Sequence, residues 1–231
     1  AGVIRYGGLG DMLTITPLLS ELKRDGYRVT VHTVAESACA LWFNPFVDEI
    51  ITQARGAIPN NELMAYHEQL RDRKQYQKFV DLCESVERRL LYSKGHPDYD
   101  LPHERRHQRA NVNYVDYTLG LGGYPGVTGR RPELYLSEEE EYHCRTWQQK
   151  HGGTFNMMWV LRGSSPHKIM VHAENVWEAL LHAHQDIQIF LVSGADAGLL
   201  AEPFPGLHNR LGVWNARETM ILTKYMDMVV G

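Results

Sequence analysis

Three groups of residues have types and spacings that could do chemistry. The first is Gly7-Gly8-Leu9-Gly10-Asp11. Glycines let the backbone turn tightly and bring N–H groups close to a ligand, and the start of a helix behind them attracts negative charge. Gly8 and Gly10 are therefore candidate loop residues of a binding site. Asp11 is the sharper candidate: a carboxylate at a helix start stays ionised and can accept a proton from a hydroxyl. Aspartate is also a preferred helix cap, and residue type alone favours that role. The dinucleotide pattern GxGxxG fails, because counting from Gly8 it requires glycine where Leu13 stands.

The second group is Arg162-Gly163-Ser164-Ser165-Pro166-His167-Lys168. Hydroxyls, backbone N–H groups and one cation suit a pyrophosphate. Gly163, Ser164 and Ser165 would cradle it, and Lys168 would act as a point charge on developing phosphate charge. An ordinary solvated loop explains the same residues equally well. The third group, His103-Glu104-Arg105-Arg106-His107, matches the HExxH zinc pattern literally. Pro102 confines it to a first helical turn at most, its surroundings are polar, and no further ligand follows at the expected spacing. No metal site is expected from it. Arg105, Arg106 and Arg109 read better as a basic patch for an anionic partner, or simply as a solvated face.

These groups need elements to position them. Residues 3–6 read as a strand and break at the glycines. Met12, Ile15, Leu18, Leu19 and Leu22 then recur at helical spacing, and Gly26 closes that helix. Residues 28–33 alternate and are β-rich, completing a βαβ unit with parallel strands. A short helix over 37–42, a strand over 47–51, a helix over 61–75 and another over 111–121 follow; 79–91 is ambiguous and 93–102 is a loop. Residues 120–132 hold five glycines and two prolines and form the linker candidate. A helix over 138–150 leads into a second α/β pattern: strand 157–161, the Gly/Ser loop, helix 171–184, strand 187–193, short helix 197–200, helix 216–225 and strand 226–230. Each half thus puts a Gly/Ser loop after a strand and before a helix, where open α/β sheets bind ligands.

Composition bounds the rest. In 231 residues, 24 Lys and Arg oppose 28 Asp and Glu, a net charge of −4. No global basic field favours nucleic acid. The cysteines, Cys39, Cys83 and Cys144, are odd in number and far apart, against a disulfide framework or a cysteine zinc site. No apolar run approaches a membrane span and no signal segment opens the chain, so a cytoplasmic protein is expected. The final apolar run closed by Gly231 reads as a strand just completed, so the second domain is expected to be incomplete.

Residues 4–13, then Thr16-Pro17-Leu18-Leu19 and Leu22-Lys23, resemble the opening of the heptosyltransferases, glycosyltransferase family 9. Asn44-Pro45-Phe46-Val47-Asp48-Glu49-Ile50 resembles the family's next landmark. Arg131-Pro132-Glu133-Leu134 with Leu136-Ser137-Glu138-Glu139 resembles its inter-domain segment. Gly163-Ser164-Ser165 with Lys168 resembles its donor loop, and Asp227-Met228-Val229-Val230-Gly231 the strand leading to its last signature. Ile169-Met170 stand where the family usually has Trp-Pro.

The resemblance implies an α/β fold of GT-B architecture, with two Rossmann-like domains facing a cleft: an acceptor-side domain over 1–130 and a nucleotide-sugar-binding domain over 131–231. It implies inverting transfer of a heptose-like sugar from a nucleotide-activated donor, typically ADP-linked, to a glycan or lipopolysaccharide-type acceptor. No metal or separate cofactor is implied. Asp11 would be the general base, and Lys168 would bind donor phosphate. The basic residues would steer an anionic glycan or glycolipid, with peripheral contact at the inner face of the plasma membrane. Two other readings stay open: a Rossmann-type oxidoreductase, with Glu36 as a ribose-binding acid, and a GT-B protein that binds without catalysing.

Overall fold

The computed structural model describes residues 1–59, 62–74, 76–83, 99–151, 153–161, 170–193 and 204–231. The chain divides into two compact units, Ala1–Tyr135 and Leu136–Gly231.

In the first unit, β1 (Gly2–Ile4) leads through the glycines into α1 (Leu9–Thr14) and α2 (Thr16–Arg24). The single helix expected from the apolar spacing is two. Pro17 stands in the first turn of α2; it has no N–H to continue a ladder from α1 but suits a helix start. Then come β2 (Thr30–Val34), α3 (Ala35–Ala38) with a 3-10 turn Cys39–Leu41, β3 (Glu49–Gln53), α4 (Leu63–Lys74), β4 (Phe79–Asp81), α5 (His103–Ala110) and α6 (Tyr114–Leu121). The strands form one parallel sheet in the order β3-β2-β1-β4. Its register pairs Val3 with Val31 and with Val80. Val3, Ile4, Val31, Leu18, Leu19 and Leu22 are buried, so the apolar stripe of α2 covers the sheet. Strands of a parallel sheet are covered on both faces: all of β1 and β2 is buried, including the polar Thr30, His32 and Thr33 of β2. The HERRH motif fills the first five positions of α5, and the His103 and His107 rings meet at a tilt of 53° with centroids 4.3 Å apart.

The linker expected over 120–132 is instead fastened to this first unit. The Tyr124 hydroxyl donates to Asp25 at 2.5 Å, Gly129 N–H to Asp116 at 3.1 Å, Arg130 to Glu21 at 3.0 Å and Glu133 N–H to the Thr16 hydroxyl at 3.0 Å. Tyr135 packs edge-on against Phe46. Glycine content marked a flexible sequence; these anchors tie it down.

The second unit contains α7 (Glu138–His151), β5 (Phe155–Val160), α8 (Ala173–Ala183), β6 (Ile187–Val192), β7 (Leu207–Asn209), α9 (Ala216–Leu222) with a 3-10 turn Thr223–Tyr225, and β8 (Met228–Val230). Its parallel sheet has the order β7-β6-β5-β8, the same plan as the first. Strand β7 was not expected: three residues ending in His208-Asn209 carry too little apolar pattern. The expected helix at 197–200 lies outside the described residues. Trp159 and Trp177 meet edge-on at 6.0 Å in a core with Met157, Leu161, Ile189 and Leu191.

A buried ion pair fastens α9 to α7. The Arg217 guanidinium, 6% exposed, gives Nε and Nη2 to the two Glu140 oxygens at 2.9 and 2.8 Å. The hydrogen bonds from Arg217 hold the Glu140 carboxyl below its ordinary value of 4.5, against a smaller opposing effect of burial. A group lowered in the folded state binds protons more tightly when unfolded, so its contribution is full above pH 4.5 and drains away as pH falls below it. Glu140→Gln is expected to cost about 1 kcal/mol at neutral pH. Urea unfolding at a series of pH values checks this: the gap between wild type and variant should shrink below the carboxylate range.

Candidate functional site

In a parallel sheet ordered 3-2-1-4, successive connections leave β1 in opposite directions, and ligands bind outside the carboxyl ends of the strands at that point. In the first unit this is the end of β1 beside β4. Arg5, the glycines, Asp11 and the residues after Asp81 all gather there.

Arg5 follows β1 directly and is 2% exposed. A guanidinium there must be paired, because it stays charged and loses its water. Nη1 donates to the Leu82 carbonyl at 3.0 Å and Nη2 to Asp11 Oδ1 at 2.5 Å. The other Asp11 oxygen, Oδ2, accepts the Gly8 N–H at 2.7 Å. Asp11 is thus not the cap of α1 but its third residue, reaching back to the N–H of Gly8, which is the cap. The carboxylate side chain remains 30% exposed. It is a fixed acceptor at the mouth of the strand, placed so that a hydroxyl against its open side could give it a proton.

The glycine loop makes its hydrogen bonds within the chain. The Gly8 N–H, expected to face a ligand, is spent on Asp11. The six-residue α1 already has a carboxylate at its start, where a bound phosphate would have to sit. Gly8 and Gly10 are not the sterically demanding glycines. A Cβ on Gly10 would meet nothing within 4 Å, and one on Gly8 only Asp11 at 3.8 Å. A Cβ on Gly7 would lie 2.6 Å from Asp11 Cγ and 2.8 Å from Asp11 Cβ, and the latter cannot swing aside. Gly7 also gives its carbonyl to the Ser37 hydroxyl at 2.6 Å.

Beneath the loop lies a group that spacing did not reveal. His67 on α4, Asp81 at the end of β4 and Cys83 place one ligating atom each within 4.8 Å of one another. His67 Nδ1 is 3.1 Å from Asp81 Oδ2, and Asp81 Oδ1 accepts the Cys83 N–H at 2.9 Å. Burial raises the Asp81 carboxyl, but the bonds from His67 and the Cys83 N–H outweigh it and leave it lowered. Burial pushes the Cys83 thiol up to about 12, so it is no nucleophile at neutral pH. Tyr6 closes over the group with its ring 5.7 Å from that of His67, its phenol pushed up by burial and by Tyr66. Asp81-x-Cys83 after a strand was the only hint, and nothing tied it to His67.

The other expected residues are less gathered. Gly163, Ser164, Ser165 and Lys168 lie outside the described residues; β5 ends at Val160, just before them. Arg105 and Arg109 stand exposed on α5, while Arg106 is half-buried. His103 and His107 do not belong to any group of three metal-ligating residues among the described residues. Glu36 is exposed in the first turn of α3, just past β2. No helix among the described residues is long and apolar enough to cross a membrane.

No family model matches the sequence, and no curated protein matches it either. Solved structures do match in fold. A glycosyltransferase of family 9 from Veillonella parvula aligns with 99% of this chain and 74% of its own at 15% identity, with a TM-score of 0.65. The E. coli ADP-heptose lipopolysaccharide heptosyltransferase II aligns with 99% and 77% at 17% identity and 0.62. The E. coli heptosyltransferase WaaC with ADP aligns with 99% and 79% at 17% identity and 0.58. Two α/β units, each with a parallel sheet, thus follow the GT-B glycosyltransferase fold as the family-9 heptosyltransferases carry it.

The loop geometry separates its glycines by experiment. Gly7→Ala should destabilise by about 1–3 kcal/mol, since it must push Asp11 off its partners. Gly10→Ala should stabilise by roughly 0.5–1 kcal/mol, since Gly10 lies in α1 with open space around it. Thermal unfolding of both variants beside wild type checks the opposite signs.

Proposed function

We propose that this chain is an inverting glycosyltransferase that moves a heptose-like sugar from a nucleotide-activated donor, ADP-linked by preference, to a glycan or lipopolysaccharide-type acceptor. The observation that carries the reading is Asp11: a part-exposed carboxylate at the mouth of β1, clamped by buried Arg5 and by the Gly8 N–H. It stands in a chain that follows the heptosyltransferase fold along 99% of its length. That fold is the background to the reading; the chemistry rests on the site.

In this mechanism the acceptor hydroxyl lies against the open side of Asp11. As its oxygen attacks C1 of the sugar, its proton passes to the carboxylate. The C1–O bond to the phosphate breaks on the opposite face, the anomeric configuration inverts, and the nucleoside diphosphate leaves. Arg5 touches no substrate; it fixes the direction of the carboxylate lone pairs. Gly163, Ser164, Ser165 and Lys168 would hold the donor phosphates, with Lys168 taking up charge on the leaving group. Acid–base and charge stabilisation by side chains suffice for this step without a catalytic metal. Arg105 and Arg109 would steer an anionic glycan or glycolipid, bringing a cytoplasmic protein to the inner face of the plasma membrane.

One feature favours a second reading, a GT-B protein that binds donor without turning it over: both Asp11 oxygens already accept a hydrogen bond. Thermal unfolding with a panel of nucleotides and nucleotide sugars, paired with a transfer assay, separates the readings. A ligand at a hundred times its dissociation constant should add about 2.7 kcal/mol. Asp11→Asn is the right variant, because removing the side chain would strand the buried Arg5 at a cost of about 3 kcal/mol. The expected result is a shift with ADP or an ADP-sugar that Asp11→Asn keeps, while transfer falls by about 10²–10⁴. A shift without transfer in wild type selects the binding protein. A shift with NAD(P) alone overturns both. Acceptor affinity should also fall as ionic strength rises; indifference to salt removes the basic patch from the picture.

A further inference from the structure

We propose that His67, Asp81 and Cys83 form a structural site for one divalent zinc-type cation, set beneath the glycine loop and separate from the sugar-transfer chemistry. The inference stands whether or not the chain is a transferase.

Three observations carry it. The first is convergence. Ligand atoms of three different kinds, an imidazole nitrogen, a carboxylate oxygen and a thiol sulfur, lie within 4.8 Å of one another. A nitrogen and an oxygen that share a tetrahedral zinc at 2.0–2.1 Å stand about 3.3 Å apart. His67 Nδ1 and Asp81 Oδ2 are 3.1 Å apart.

The second is an uncommitted ring. The His67 side chain is 5% exposed, yet its Nε2 is buried with no hydrogen-bond partner among the described residues. No group among the described residues fixes the tautomer at that nitrogen, so Nε2 can keep the proton, to be given to a water as metal-bound imidazoles do, and leave the Nδ1 lone pair toward Asp81 and Cys83. The aromatic rings of Tyr6 and Tyr66 stand 5.7 and 6.2 Å from the imidazole and screen this side of the group from water.

The third is charge and softness. A thiolate, a carboxylate and a neutral imidazole carry a total charge of −2, which a divalent cation cancels, as a half-buried cluster requires. Mixed sulfur, nitrogen and oxygen ligands suit zinc, whereas magnesium and calcium take oxygen. Binding is a simple exchange: the cation enters, the Cys83 proton leaves to solvent, and no electron moves. Water fills the fourth position. The site would tie α4 to the end of β4, whose next residue, Leu82, gives its carbonyl to Arg5.

The HERRH segment is the competing zinc site. It offers His103, Glu104 and His107, and no thiol. Sulfur therefore discriminates between the two. Full-length protein stripped with chelator is titrated with Co²⁺ and read by absorption. The expected result is one equivalent bound with a thiolate-to-cobalt charge-transfer band that Zn²⁺ abolishes. Cys83→Ser should remove the band, and His67→Gln should weaken Co²⁺ binding by about tenfold or more. His103→Ala with His107→Ala should leave the band intact, as should Cys39→Ser with Cys144→Ser. The last protein has Cys83 as its only thiol, so it decides the matter even if Cys83→Ser does not fold. No band in wild type, a band lost from the Cys39→Ser/Cys144→Ser protein, or one that persists in folded Cys83→Ser overturns the proposal.

Discussion

A positive charge buried at the end of a strand governs the first unit. Arg5 leaves β1 almost wholly buried, and a guanidinium cannot shed its charge there. It needs acceptors, and the chain supplies two from different directions: the Leu82 carbonyl just past β4 and the Asp11 carboxylate on α1. One side chain thereby joins the ends of β1 and β4 to α1. The glycine loop follows from this. Asp11 can reach Arg5 only if the backbone at Gly7 passes close beside it, which a side chain at Gly7 would prevent.

The same clamp sets the chemical character of the loop. A helix start with free N–H groups attracts anions, but here the anion belongs to the chain. Asp11 fills that position and faces outward over its remaining third of exposed surface. As proposed, such a site takes up a proton and leaves phosphate to the other unit. In the proposed reaction this division of labour is what a two-unit transferase needs, with base chemistry on one unit and phosphate binding on the other. The clamp also orients the carboxylate before any substrate arrives, which lowers the reorganisation left for the reaction itself.

The two units repeat one topology and also one device. Both sheets run in the order 3-2-1-4. In the second, a buried arginine again meets a carboxylate, but Arg217 and Glu140 join two helices at the surface of the sheet rather than a strand end to a helix start. The first pair lies at the topological switch and leaves its acid partly open. The second is a bidentate brace. Position in the fold, more than residue type, separates a candidate site from a structural tie.

The sequence by itself determined the local elements and their alternation. Helical spacing from Met12 to Leu22, the β-rich run before Val34 and the apolar runs of β5 and β6 report on faces that burial must cover, and burial is a property local periodicity records. It also marked Asp11, because a glycine loop followed by an acid at a helix start is a short-range pattern. What periodicity could not record was pairing across the chain. That Arg5 is buried, that Gly7 rather than Gly8 or Gly10 is sterically fixed, that the glycine-rich stretch after α6 is pinned to Asp25, Asp116, Glu21 and Thr16, and that His67 meets Asp81 and Cys83 all depend on contacts between distant residues. Strand order pairs β4 with β1 across 77 positions, and only that tertiary step brings Arg5 to Leu82 beside the His67–Asp81 pair.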